Sequence, residues 1–351
     1  MISSEASSQS KKTVPVSILT GFLGAGKTTL LNRILQRPDS GRIAVIQNEF
    51  GELSIDHELV VSEADGIFEM QNGCLCCTVH DDLLRLLERL KNRKQDFDRI
   101  IIETSGLANP VPVAQTFFSS IHIQKDFRLD GIITLADARH LEQQLSGTPE
   151  AEQQLICADF IILNKIDAVE AGQLPALRKR IIGLNAEAVQ IETSFAEVGT
   201  SRLFGISPAA PDAQKLHQVE HSMQARESDD GHGAHHHHGH DDEVTSFSLR
   251  LPGTIDLQRL DAWMNMLPVV HGGSIYRMKG ILNLADEERR FVFQAVFSLM
   301  QGDFGRPWQA GEQRENRFVF IGKDLNKALL EEGFRACLVT EAAGHTEAGT
   351  G

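Results

Sequence analysis

Residues 17–31 read Ser-Ile-Leu-Thr-Gly-Phe-Leu-Gly-Ala-Gly-Lys-Thr-Thr-Leu-Leu and contain G-x-x-x-x-G-K-T, from Gly21 through Gly26, Lys27 and Thr28. An apolar, β-branched run (Val14, Val16, Ile18, Leu19) precedes the motif, and a helical pattern (Leu30, Leu31, Ile34, Leu35) follows it. Strand, glycine loop and helix in this order make a phosphate-binding loop. The loop's N–H groups can turn inward onto phosphate oxygens, and the helix N-terminus adds its dipole. Gly21, Gly24, Ala25, Gly26, Lys27, Thr28 and Thr29 are therefore the expected phosphate contacts. Lys27 should reach the β- and γ-phosphates and act in catalysis, and Thr28 should ligate magnesium.

The chain has 351 residues, more than one compact domain usually needs. A net charge of -14 argues against general nucleic-acid binding, which wants a basic face. No apolar run is long enough to span a membrane. Residues 1–13 lack the apolar core of a signal peptide and are expected to form a disordered tail. Five cysteines do not make a disulfide scaffold in a chain this long, and three of them cluster at Cys74, Cys76 and Cys77. These features point to a cytoplasmic protein with thiols free to take metal.

A second strand at 43–46 runs into Gln47-Asn48-Glu49-Phe50-Gly51-Glu52. Carboxylates just past the C-terminal end of a strand lie where an open parallel sheet binds ligands. The segment suits a switch loop, with Glu49 near magnesium. A short strand at 66–70 leads into Gly73-Cys74-Leu75-Cys76-Cys77 and then a leucine-rich helix. C-x-C-C is too tight for three sulfurs to fill one zinc alone, so two thiolates plus an outside carboxylate or histidine fit better. The candidate zinc residues are Cys74, Cys76 and Cys77, with Glu52 as one candidate for the outside carboxylate. An apolar strand from Asp98 runs into Glu103-Thr104-Ser105-Gly106. Glu103 is expected to act on magnesium through water, and Gly106 to face the γ-phosphate. A helix through Phe117 and Phe118, a strand ending at Asp137 and a helix over 138–145 come next.

The strand at 158–163 delivers Asn164-Lys165-Ile166-Asp167. N-K-x-D is a guanine-reading pattern. The Asp167 carboxylate accepts from guanine N1–H and the exocyclic amine, whereas adenine presents an acceptor at N1. Mismatched hydrogen-bonding sites reject analogues by up to about 10⁴–10⁵. This favours GTP over ATP and argues against a small-molecule kinase. A helix over 174–182 and a last strand at 188–193 complete the first domain. Residues 208–243 form an acidic, histidine-rich linker by composition, and His235, His236, His237, His238 and His240 are an expected auxiliary metal loop. Beyond it, strands are expected at 245–251, 274–281 and 291–296. A fourth, at 318–322, leads into a helix with Asp324 near its start.

Together these pieces resemble the CobW/YjiA-like family of P-loop metallochaperone GTPases, and within it the zinc-regulated GTPase metalloprotein activators. The carriers are the phosphate loop, Asn48-Glu49-Phe50-Gly51-Glu52, Gly73-Cys74-Leu75-Cys76-Cys77, Glu103-Thr104-Ser105-Gly106, Asn164-Lys165-Ile166-Asp167, Arg277-Met278-Lys279-Gly280 and Phe320-Ile321-Gly322-Lys323-Asp324-Leu325. In some relatives an acidic residue precedes the Asn-Glu-Phe-Gly-Glu stretch. Gln47 stands there in this chain. The resemblance implies an α/β P-loop NTPase domain with a mainly parallel sheet, joined to a smaller α+β CobW-type domain. The expected boundaries are a tail at 1–13, a GTPase domain at 14–207, the linker at 208–243, the second domain at 244–338 and a tail at 339–351. It further implies GTP, magnesium and zinc, and delivery of zinc to a client metalloprotein without nucleic acid or membrane. A nucleotide- or metal-dependent homo-oligomer is left open. Two alternatives stand beside this: cobalt delivery for cobalamin synthesis, and zinc buffering with little coupling to GTP hydrolysis.

Overall fold

The structure is a computed structural model that describes residues 13–47, 67–69, 78–204, 244–271, 273–297 and 299–339. Its first layer is a seven-stranded sheet in the order β3-β2-β4-β1-β5-β6-β7, parallel throughout. The strands are β1 (Val14–Gly21), β2 (Ile43–Gln47), β3 (Ile67–Glu69), β4 (Arg99–Glu103), β5 (Phe127–Asp137), β6 (Phe160–Asn164) and β7 (Val189–Glu192). Helices α1 (Lys27–Leu35), α2 (Thr78–Lys91), α3 (Val111–Ser119), α4 (Ile121–Gln124), α5 (Leu141–Gly147), α6 (Pro149–Ile156), α7 (Leu174–Leu184) and α8 (Thr200–Leu203) connect them.

The parallel arrangement explains the unbroken apolar strands, because such a sheet is covered on both faces. Val16 and Ile18 of β1 pack with Leu87 and Phe117 on one side. Leu19 packs with Leu30, Ile34 and Ile101 on the other. All strands point the same way, so the residues that end β1, β4, β5 and β6 gather along one edge.

The second layer is a five-stranded antiparallel sheet in the order β11-β10-β9-β12-β8. It comprises β8 (Val244–Pro252), β9 (Ile275–Leu282), β10 (Arg289–Val296), β11 (Leu299–Pro307) and β12 (Glu315–Lys323), with α9 (Leu257–His271) and α10 (Lys327–Ala336). One face carries Phe318 and Phe320, which stack at 4.8 Å and meet Trp263 and Phe334. Alternation sends Val319 and Ile321 to the opposite face, against Ile156 of α6. Register places Ile321 opposite Arg277 and Val319 opposite Lys279. Arg277 and Lys279 thus share the face turned toward the first domain. Both cations reach Asp159, just ahead of β6; the Arg277 Nη2 contact is 2.6 Å.

Sequence expectation did not extend to helices α4, α6 and α8 or to edge strand β11. Asp324 is not a cap: it sits in a turn at φ 51°, and Asn326 caps α10 by accepting from the Leu329 N–H. Among the described residues, no helix is long and apolar enough to cross a membrane.

Candidate nucleotide and metal site

The phosphate loop turns from β1 into α1. Gly21 ends the strand and Gly24 lies exposed in the turn, both at positive φ, while Ala25 is buried and Thr29 exposed. Gly26 adopts φ 108°, and a Cβ there would stand 2.7 Å from the Asn164 side-chain amide. Backbone conformation and close approach both demand glycine at this position. Lys27 is buried, and its Nζ donates to the carbonyls of Gly21 (2.8 Å) and Phe22 (3.3 Å). Burial lowers the Lys27 pKa, and the Glu103 charge opposes that fall. The ammonium is thus stored within the loop that would surround a phosphate.

Glu103 is buried at the end of β4, directly beside β1 and β2. Its Oε1 accepts from Thr28 Oγ1 at 3.3 Å, and its Oε2 accepts from Gln47 Nε2 at 3.1 Å. A hydroxyl and a carboxylate are the hard oxygen donors that magnesium prefers, so these two residues fit that ion. Gly106 approaches the phosphate loop so closely that a Cβ would lie 2.6 Å from the Leu23 nitrogen. Gln154 of α6 holds this segment, donating from Nε2 to the carbonyls of Gly106 (3.2 Å) and Ala108 (3.0 Å).

Asn164 joins the Asn-Lys-x-Asp turn to the phosphate loop. Its Nδ2 donates to the Ala25 carbonyl at 2.8 Å, and its Oδ1 accepts from the Ala196 N–H at 2.9 Å. Asp167 is exposed on the turn that follows. Lys165 takes φ 62°, and its Nζ reaches Asp137 Oδ2 at 2.8 Å. Burial would raise the Asp137 pKa, but Lys165, His140 and the Arg139 N–H together hold it below the usual carboxylate range.

Sequence reasoning did not single out Gln154, Asp137 or the loop at 193–197. In that loop Thr193 accepts from the Ile166 N–H, and Phe195 is 67% exposed at φ 56°. Position at a strand's C-terminal end was the available signal for Asp137 and the loop. Gln154 gave none.

Glu49, Glu52, Cys74, Cys76 and Cys77 lie outside the described residues, as do His235, His236, His237, His238 and His240. Among the described residues, no group of three or more His, Cys, Asp or Glu is arranged to hold a metal. Cys157 and Cys337 are buried free thiols, pushed by burial up to about 12 and about 11. Neither has the exposed, electropositive surroundings of a reactive thiolate.

A phosphate cradle with its lysine, a Thr–Glu pair beside it and an Asn-Lys-x-Asp turn bonded to the cradle define a P-loop nucleotide-binding protein of the GTP-binding type. The chain belongs to the CobW/HypB/UreG family: residues 15–192 match its nucleotide-binding domain, and residues 244–338 match the cobalamin synthesis protein cobW C-terminal domain. It is 34% identical to the zinc chaperone YjiA of Escherichia coli, over 92% of this chain and 98% of that one. It is 36% identical to the zinc chaperone CobW of Pseudomonas aeruginosa, over 93% and 92%. The crystal structure of the Zn(II)-bound YjiA GTPase from E. coli superposes with a TM-score of 0.64 at 31% identity, covering 93% of this chain and 99% of that one.

Proposed function

We propose that the protein is a GTP-hydrolysing zinc chaperone, in which GTP binding and hydrolysis change the affinity of a thiolate site and release zinc to a client metalloprotein. The observation that carries this reading is the 2.8 Å bond from Asn164 to the Ala25 carbonyl. It ties the Asn-Lys-x-Asp turn to the phosphate loop, which supports reading the two as one nucleotide site, in a chain whose relatives are named zinc chaperones. Lys27, Thr28 and Glu103 form the phosphate end, and Asp167 reads the base. Phosphoryl transfer is mainly positioning and charge neutralisation, and magnesium held by Thr28 and Glu103, with Glu49, supplies part of that neutralisation when bound. Zinc, the cargo, is assigned to Cys74, Cys76, Cys77 and Glu52, with the histidines of 232–240 as an accessory store. The working units are a GTPase domain at 14–207, a linker at 208–243 and the second domain at 244–338, acting in the cytoplasm.

A nucleotide can shift zinc only through different affinities in two states, and the coupling is reciprocal. Zinc affinity is expected to differ about 5–150-fold between the GDP form and the form with a non-hydrolysable GTP analogue. Competition with a chromogenic chelator measures this, using protein lacking residues 232–240 to remove background. Cys76→Ala should abolish most of the difference and Glu52→Ala part of it. Identical affinity in both states would overturn the chaperone reading and leave zinc buffering.

A further inference from the structure

Gln47 is the last residue of β2, and parallel register sets it directly beside Glu103, the last residue of β4. Register neighbours in a parallel pair project from the same face. Here that brings the Gln47 side-chain amide to 3.1 Å from Glu103 Oε2, while Thr28 Oγ1 lies 3.3 Å from Oε1. An ionised carboxylate only accepts, so the NH₂ end of the amide faces it. The two oxygens of one buried carboxylate are therefore addressed from two different elements, the start of α1 and the end of β2. That fixes the plane of the carboxylate as well as its place. A glutamate at position 47 could not do this, because two carboxylates at this distance repel unless they share a proton.

We propose that Gln47 is a positioning residue for the magnesium-bearing end of the nucleotide site: it orients Glu103 by donating to Oε2. The acidic residue that some relatives carry here would put a charge at this point; in this chain the position supplies a donor. The proposal rests on the reading of Glu103 as a magnesium residue.

The test follows release of a fluorescent GDP from zinc-free, full-length protein across a magnesium titration. Magnesium slows release when it bridges nucleotide and protein, so the midpoint reports how well the carboxylate is presented, apart from any turnover. Gln47→Leu keeps the bulk and removes the donor. Its midpoint should rise about tenfold, the scale of one hydrogen bond to a charged group, with release in EDTA unchanged from wild type. Gln47→Glu should be impaired at least as much as the leucine variant. Glu103→Gln, in the same assay, separates the two levels of the argument. If Glu103→Gln raises the midpoint and Gln47→Leu does not, the positioning role is overturned while the magnesium reading of Glu103 survives. If neither moves it, both fall. A Gln47→Glu variant that binds magnesium more tightly than wild type would show that charge, not donation, matters at this position, and would also overturn the proposal.

Discussion

Replacing Asp159 by asparagine should uncouple the second domain from the first. The Asp159 carboxylate is 4% exposed and accepts from three donors: Arg277 at 2.6 Å, Lys279, and the Ile132 N–H at 2.7 Å. Burial alone would raise its pKa; the two cations and the backbone donor bring it to about 2, from 3.8. Each pKa unit corresponds to about 1.4 kcal/mol, so the ionised, paired carboxylate contributes about 2 kcal/mol. Removing one partner of a buried ion pair costs about 3–5 kcal/mol. Asparagine can still accept from Ile132, and the Lys279 side chain is 27% exposed and can relax toward water, which favours the lower end. We expect Asp159→Asn to lose about 2–3 kcal/mol. The pH signature has a definite sign. The folded pKa is depressed, so the contribution is complete above about pH 4 and disappears as pH falls through about 2. The gap between wild type and variant should stay level from pH 8 to 5 and narrow below 4. Denaturant unfolding reads both domains separately, because both tryptophans, Trp263 and Trp308, lie in the second domain, while retention of a fluorescent GDP reports the first. Arg277→Met in the Asp159→Asn background should recover part of the loss, since one uncompensated cation is removed. A single variant within about 0.5 kcal/mol of wild type, the range of an ordinary surface substitution, would refute the reasoning.

Two further outcomes follow from the nucleotide site. Lys27→Met should abolish tight nucleotide binding yet leave the nucleotide-free protein at least as stable at neutral pH, because burial depresses the lysine's pKa and its charge is held at a cost; fluorescent-GTP binding and thermal melting of the apo protein measure the two effects, and undiminished binding would refute the phosphate-loop assignment. Asp167→Asn should weaken GTP and favour xanthosine triphosphate, whose base has a carbonyl where guanine has its amine; competition binding that leaves the GTP preference unchanged would place base recognition elsewhere.

The phosphate loop could be read from sequence because its chemistry is local: glycines, Lys27 and Thr28 lie within eight positions, flanked by two clear periodicities. The same holds for Glu103 and Asn164, each at the end of an apolar strand. What escaped depends on distant partners. Helix α6 is short and polar on half its positions, yet its Gln154 is buried because it reaches Gly106 and Ala108, 48 and 46 residues away. Strand β11 contains glycines that weaken strand propensity. At Gly302, however, a Cβ would fall 2.1 Å from the Phe291 ring, so a neighbouring side chain requires that glycine. Arg277 and Lys279 were visible as family landmarks, but their counter-ion lies 118 residues from Arg277. Gln47 was visible only as a departure from relatives; its partner across the register gives it a task. Asp324 carried the capping residue type, but Asn326, two positions on, has the geometry to accept from the first turn.

Strand β6 serves as a ruler. Asp159, just before it, meets the second domain, and Asn164, its last residue, meets the phosphate loop. The separation is five steps, about 17 Å of extended chain at 3.3 Å per residue. Because side chains alternate, one inserted or deleted residue would reverse the facing of everything on one side of the change. Ile161 and Leu163 pack on one face and Ile162 on the other, so no compensating shift is available within the strand. The chain can vary in what it writes between Asp159 and Asn164, provided the residues remain apolar, but not in how many letters it uses. A length change here should be as damaging as the loss of a site residue.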